Sequence, residues 1–408
     1  MKGTRWTPVD QALYEPEYLL DIEVDKAKEL RLNAIKYAFQ YHYENSPFYG
    51  GYCREQGITP KDIKSPDDLV KIPLIPDHFF KSYPNTKEEF KRWLQKIYTG
   101  SLPAFSNVDE LPSKGVELQF SSGTSGKNVT IVPRDGISRR RNAYVTEKCF
   151  LELAPYEQGM AFCVPVPKFP RYSFAGVALN IYKHIFETVL GGETIWASGE
   201  ELSLTGVVKE VKLNLAETFD EYVYRLKEVE HSGSSICLFG IPGAIFPLLF
   251  AMKKHHTTFK FSGFIWTGGG GWKLPTGEDL EDKEGYYNML AEQFGLKRHM
   301  DVYGGTEYGV AFSACEGGFI HYPQSVYEIR ILDEKLNPIG YNSYGRVAFW
   351  DPLSNNYPGF IVTGDKAMLL EHCPVCSRPG RVLSPEIARM PGAETRGCGE
   401  AVRRTLSQ

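Results

Sequence analysis

The chain has 408 residues, of which 42% are hydrophobic and 24% charged, with a formal net charge of −4. That length supports one large domain or two smaller ones, and the mildly acidic balance leaves no electrostatic footprint for nucleic acid. The N-terminus, MKGTRWTPVDQ, has no apolar run of the kind a secretory signal needs, and eight cysteines without such a signal predict reduced thiols and a cytoplasmic location.

In chain order, residues 23–45 carry Val24, Ala27, Leu30, Ala34, Tyr37 and Tyr41 at helical spacing, which predicts a helix with those residues on its apolar face. NSPFYGGY breaks it. ITPKDIKSPDDLVKIPLIP, rich in Pro and Asp, then predicts a capped turn, a short helix and an extended stretch. Residues 1–100 are thus expected to form a helical N-terminal segment of the main domain. The only tight basic run, Arg139–Arg141, is expected on a solvated helix face. Short apolar strands next alternate with helices: MAFCVPVP, a helix around 175–190, GETIWAS, a helix over 216–231, ICLFG and FSGFIWTGGGG. That alternation predicts layered α/β structure. The longest uncharged stretch, Ser232 to Met252, is broken by glycines and prolines, so it reads as a buried strand turning into a buried helix rather than a membrane span. From about residue 326, YEIRILDE, GRVAFW and GFIVTGDKAMLL predict a closing antiparallel β section. The α/β core is expected over 101–365 and a short C-terminal tail over 366–408.

The stretch LQFSSGTSGKNVTIV, residues 118–132, has the glycines, hydroxyls and lysine of a phosphate-binding loop. It is not a P-loop: Ser121 stands where the first glycine belongs, Asn128 follows the lysine, and VTIV continues as a strand rather than a helix. Backbone N–H groups, short hydroxyls and a lysine still donate to anionic oxygen in a strand–loop–strand. Three further stretches read with it: TGGGGWK (Thr267 to Lys273) after an apolar strand, VYGGTEYG (Val302 to Gly309), and VTGD ending at Asp365. Each is weak alone; the order and spacing of the four are specific.

Together these four stretches resemble the acyl-adenylate-forming superfamily over most of residues 115–365. The resemblance implies that Ser121, Ser122, Gly123, Thr124, Ser125, Gly126 and Lys127 hold the β- and γ-phosphates of ATP. It further implies that Tyr303 lies against adenine with Gly269, Gly270 and Gly271 along its edge, that Thr306 bonds the α-phosphate, that Glu307 holds Mg2+, and that Asp365 takes the ribose hydroxyls. A carboxylate suits Mg2+ as a hard oxygen ligand, and glycines let backbone approach a flat base. The segment YHYENSPFYGGYCREQGITPKDIKSPDDLVKIPLIP looks like the branch holding phenylacetate-CoA ligases and acyl-protein synthetases. GGGWK and GRVLSPEIARMPGAETRGCGE are closer to the LuxE-type acyl-protein synthetases. Adenylating ligases of the superfamily use a lysine from a mobile C-terminal domain. Only 43 residues follow Asp365, so that domain is expected to be lacking, with Lys127 and Lys273 as candidates to neutralise the α-phosphate. Arg381, in PGR, stands where a hinge arginine would reach the ribose.

In acyl-protein synthetases a cysteine near the C-terminus accepts the acyl group, and Cys398 matches that position. A thiolate attacks a mixed anhydride readily, with AMP leaving, and Arg396 is a candidate to lower the thiol pKa. A competing reading uses the metal-ligand spacing of Cys373 and Cys376 in HCPVC, with Cys398 and His372 completing a Zn2+ site. The remaining cysteines, Cys53, Cys149, Cys163, Cys237 and Cys315, read as packing residues. The reaction implied is activation of a carboxylic acid, fatty by resemblance, as acyl-AMP, followed by transfer to Cys398 and on to a partner acyl reductase. The alternatives are transfer to CoA or an acyl carrier protein, an aryl acid, and, remotely, a non-catalytic nucleotide-binding subunit. PKFPRYSF with Trp266 and Trp272 is a candidate acyl pocket, although ordinary core is the more frequent role of such aromatics.

Overall fold

The computed structural model describes residues 6–98, 100–121, 129–201, 215–268 and 280–390. The first helix, α1 (Pro8–Tyr14), opens with a reciprocal Thr7–Asp10 capping box. α2 (Val24–Asn45) occupies the predicted helix, but its stripe is rotated. Arg31, Ile35, Phe39 and His42 join Ala27, Leu30 and Ala34 inside, whereas Val24 and Tyr37 are 42% and 41% exposed. The two polar residues on that face are paired: Arg31 lies 2.8 Å from Glu328, and His42 donates through Nε2 to the Ser354 carbonyl at 2.9 Å. Ser46 ends α2 and caps α3 (Pro47–Glu55), so the expected break is a relay between helices. Capping boxes at Thr59–Asp62 and Ser65–Asp68 open two 3-10 turns before β1 (Ile75–Pro76) and α4 (Lys87–Ile97).

β2 (Val116–Phe120) and β3 (Ile131–Asp135) pair antiparallel, with Val116 opposite Asp135 and Phe120 opposite Ile131. The strand–loop–strand reading is the observed one. α5 (Gly136–Leu153) carries the basic run, and here the expectation of a solvated face fails: Arg141 is 4% exposed and bonds Asp10 Oδ1 through Nε at 3.0 Å and Nη2 at 2.8 Å. Then come β4 (Ala161–Lys168), α6 (Phe174–His184), β5 (Thr194–Glu201), α7 (Leu215–Ser232), β6 (Ile236–Phe239), α8 (Pro242–Lys254), β7 (Gly263–Gly268), α9 (Lys283–Phe294), β8 (Arg298–Gly304) and β9 (Ala311–Ser313). They build a sheet in the order β5-β4-β6-β7-β8-β9, parallel up to β8, with β9 antiparallel. Helices cover both faces, as a parallel sheet requires. One apolar cluster centres on Phe162, Tyr182 and Trp266, the other on Ile195, Leu226, Leu248 and Leu290.

The closing section holds β10 (Ile320–His321), β11 (Glu328–Leu332), β12 (Tyr344–Asp351), β13 (Gly359–Leu370), β14 (Val382–Leu383) and β15 (Ala388–Arg389). With β1 these form a seven-stranded sheet around β13, which runs through Asp365 without interruption. β12 to β15 pair antiparallel, and β1 adds to β13 in parallel. α1 and α2 pack Leu13 and Leu30 into the same cluster as Phe312 and Phe349. Among the described residues, no helix is long and apolar enough to cross a membrane.

Candidate active site

The β2–β3 hairpin holds the base of the Ser/Thr/Gly loop. Ser121 N–H donates to the Thr130 carbonyl at 3.0 Å, and Thr130 N–H donates to Ser121 Oγ at 2.9 Å. The loop itself, Ser122–Lys127, lies outside the described residues, as do Gly269, Gly270, Gly271, Lys273 and Cys398. Thr130, which the sequence reading did not single out, is buried and donates through Oγ1 to Glu307 Oε1 at 2.8 Å. One hydroxyl thus joins the loop to the acidic motif from 177 residues further on. Thr130 takes one oxygen of the Glu307 carboxylate, and the charge of Arg389 also acts on it; a carboxylate is the donor type a hard cation takes.

β8 delivers Tyr303 and Gly304, and the chain then turns sharply, with Gly309 N–H donating to the Gly305 carbonyl at 2.7 Å. Gly309 has φ +66°, and a Cβ there would lie 2.3 Å from Arg134 Cζ, so conformation and space both demand glycine. Arg134, a second residue missed in the sequence, is 1% exposed. Its Nη2 donates to the carbonyls of Thr306 at 2.5 Å and Glu307 at 3.3 Å. Its guanidinium sits 5.4 Å from the centre of the Tyr357 ring, whose hydroxyl also donates to the Glu307 carbonyl. A buried cation and a phenol therefore fix the backbone of Thr306 and Glu307. No motif announces them, because PRD in a strand has no distinguishing spacing.

Asp365 is brought to the same place from β13. Its Oδ2 accepts from Tyr303 Oη at 2.7 Å, and its Oδ1 pairs with Arg389 Nη1 at 2.8 Å. Burial raises the Asp365 pKa against the pull of Arg389 and of the Tyr303 hydroxyl. Arg381 departs from its expected position. It forms a fork on Glu328, Nη1 to Oε1 at 2.8 Å and Nη2 to Oε2 at 2.9 Å, and it is Arg389 that meets Asp365. Glu328 is buried among three arginines, and a fork–fork pair of this kind holds Arg381 in the frame.

A small apolar pocket of about 40 Å3 opens beside the turn. Phe169 and Phe174, from PKFPRYSF, line it with Phe239, Trp266, Gly268 and Gly304. These aromatics are pocket walls as well as core; Trp272 lies outside the described residues. Phe120 N–H donates to the Tyr172 carbonyl at 3.0 Å, tying the loop strand to the pocket wall. The cysteine reading also changes. Cys315, read as packing, and His321 converge with Cys373 and Cys376, while His372 is exposed.

The description "Acyl-protein synthetase, LuxE" belongs to a family model that matches residues 9–407 of the chain. Two long-chain-fatty-acid–luciferin-component ligases are similar to it. The one from Vibrio harveyi is 26% identical over 92% of this chain and 86% of its own length; the one from Aliivibrio fischeri is 24% identical over 94% and 90%. The fold is similar to crystal structures of 2-hydroxyisobutyryl-CoA ligase. One, in the postadenylation state with 2-HIB-AMP, has a TM-score of 0.64 at 15% identity over 92% of this chain and 71% of that one. Another, an open conformation with 2-HIB-AMP and CoA, has the same TM-score and covers 78% of its chain.

Proposed function

The chain belongs to the LuxE family of acyl-protein synthetases, ATP-dependent adenylate-forming ligases, and on that footing we propose that it activates a long-chain fatty acid and passes the acyl group to a protein thiol. The observation that carries the fatty acid is the apolar pocket lined in part by Gly304, two residues before Thr306. An apolar pocket beside the turn assigned to the phosphate suits an acyl chain whose carboxylate meets the nucleotide. The two curated relatives are named for long-chain fatty acids, which points the same way.

In the first half-reaction, a carboxylate oxygen of the fatty acid attacks the α-phosphorus of ATP. The bond from that phosphorus to the bridging oxygen breaks, and pyrophosphate leaves. Thr306 is assigned to the α-phosphate, Ser121 and the loop after it to the outer phosphates, Tyr303 to the adenine and Asp365 to the ribose. Lys127 and Lys273 are assigned the neutralising charge. Glu307 is assigned to Mg2+, which when bound offsets phosphate charge; a carboxylate held by Thr130 at the site fits that role. Fixed backbone and positioned charge carry most of such a reaction, and the hold of Arg134 on Thr306 and Glu307 supplies the rigidity. In the second half-reaction, the Cys398 thiolate attacks the acyl carbon, the bond to AMP breaks, and a thioester forms. A partner acyl reductase is the assigned recipient.

Exchange of labelled pyrophosphate into ATP, dependent on a long-chain fatty acid, tests the first step. The wild-type chain is expected to exchange, Glu307→Ala to lose at least a hundredfold, and Cys398→Ala to exchange normally. Full exchange by Glu307→Ala would remove Glu307 from the metal.

A further inference from the structure

Cys315, His321, Cys373 and Cys376 each present one ligand atom, and all four atoms lie within 4.8 Å of one another. Cys315 follows β9 and His321 ends the short strand β10, so one hairpin contributes two of them. Cys373 and Cys376 come from the turn between β13 and β14, which pairs β14 against β10. Two of the separations can be compared with those of a tetrahedral site. Zinc bonds of about 2.3 Å to sulfur and about 2.05 Å to nitrogen put ligand atoms about 3.8 Å apart for two sulfurs and about 3.6 Å for sulfur and nitrogen. Cys315 Sγ lies 3.7 Å from Cys373 Sγ, and Cys376 Sγ lies 3.3 Å from His321 Nε2. The 3.7 Å separation is far beyond a disulfide bond.

Cys376 N–H donates to Cys373 Sγ at 3.4 Å. Thiolates and a neutral imidazole are the forms that bind metal. Three thiolates and one neutral imidazole around a divalent ion leave one negative charge, with the Arg378 charge close by. Gly317 lets the first hairpin approach the second, since a Cβ there would lie 2.5 Å from Val375.

We propose that Cys315, His321, Cys373 and Cys376 form a closed structural zinc site that staples the β9–β10 hairpin to the β13–β14 turn. Cys398 is not one of its ligands. The site is full with four protein ligands, so it leaves no open position for chemistry and no reason to sequester Cys398. Beyond β14 the chain reaches Arg389, the partner of Asp365, so the staple holds the segment that reaches the nucleotide-facing carboxylate.

The test is the metal content of the full chain purified under reducing conditions, measured by elemental mass spectrometry. About one zinc per chain is expected in the wild type and in Cys398→Ser, and less than a tenth in the double variant Cys315→Ser/Cys373→Ser. Because that variant is at risk of misfolding, the wild type is also alkylated natively, with and without a strong chelator, and its cysteines mapped. Cys373 and Cys376 are expected to react only after chelation, and Cys398 under both conditions. A zinc-free wild type that takes up no added Zn2+ or Co2+, loss of zinc in Cys398→Ser, or alkylation of Cys373 and Cys376 indifferent to the chelator would each overturn the proposal. Pyrophosphate exchange is measured in parallel, so failure of the zinc site is distinguishable from failure of the adenylation reading.

Discussion

Thr306 and Glu307 sit on a turn whose carbonyls would otherwise face a buried space, and Arg134 with the Tyr357 hydroxyl satisfies them. A buried carbonyl left without a donor costs about 1–3 kcal/mol. Arg134→Met keeps much of the apolar stem and removes the donors. It is expected to destabilise the chain by roughly 2–4 kcal/mol and to depress pyrophosphate exchange further than the unfolded fraction explains. Urea midpoints and exchange rates on the same preparation check this; an active, fully stable variant would remove Arg134 from the site. Such a residue is hard to find in a sequence, because its role is set by a backbone 172 positions away. The glycine that makes room for it, Gly309, was visible within VYGGTEYG, but its reason was not. Cys315 packs in a buried cluster as expected, but its proximity to Cys373, 58 residues later, has no local signature.

Helix α2, strand β11 and the residue before β14 meet at one carboxylate. Glu328 is buried, and Arg31, Arg330 and Arg381 all pair with it. Burial alone would raise its pKa, but the three arginines outweigh it and lower the value from 4.5 to about 2. An unfolded glutamate takes up its proton near the ordinary value, whereas the folded one resists to about 2. The stability this gives is therefore complete above about 4.5 and is lost as pH falls through about 2. The gap corresponds to about 3 kcal/mol. Glu328→Gln leaves Arg31, Arg330 and Arg381 without their counter-charge, so its penalty should be largest at neutral pH and shrink between about pH 4.5 and pH 2. A penalty constant across that range, in denaturant titrations at several pH values, would contradict the pairing. This cluster also explains what periodicity mistook in α2. Long elements such as α2, α7 and β13 were legible because their patterns repeat over several turns or alternations. The face of α2 was not, because Arg31 and His42 are buried with partners from the far end of the chain. β10, β14 and β15 have two residues each, too few for any period to register.

Three separate sheets contribute to one corner of the molecule: the β2–β3 hairpin brings Ser121 and Thr130, β8 brings Tyr303 to Glu307, and β13 brings Asp365. The apolar pocket, lined from α6, β7 and β8, lies beside that corner. The resemblance carried by the order of the stretches implied one site for Ser121, Thr306, Glu307 and Asp365, although Asp365 lies inside a continuous strand and not at a strand end. That implication did not extend to the pocket walls, where core and pocket aromatics have the same composition. The arrangement makes a single demand on the chemistry: acid, nucleotide and acceptor thiol must meet at one point. The direct measurement is the intact mass of the chain after incubation with MgATP and a mixture of fatty and aryl acids, followed by peptide mapping. The account predicts an ATP-dependent gain equal to one fatty acyl group on Cys398, absent in Cys398→Ala and in Glu307→Ala. An unmodified chain that has nonetheless released pyrophosphate, or an adduct that forms without ATP, would contradict it.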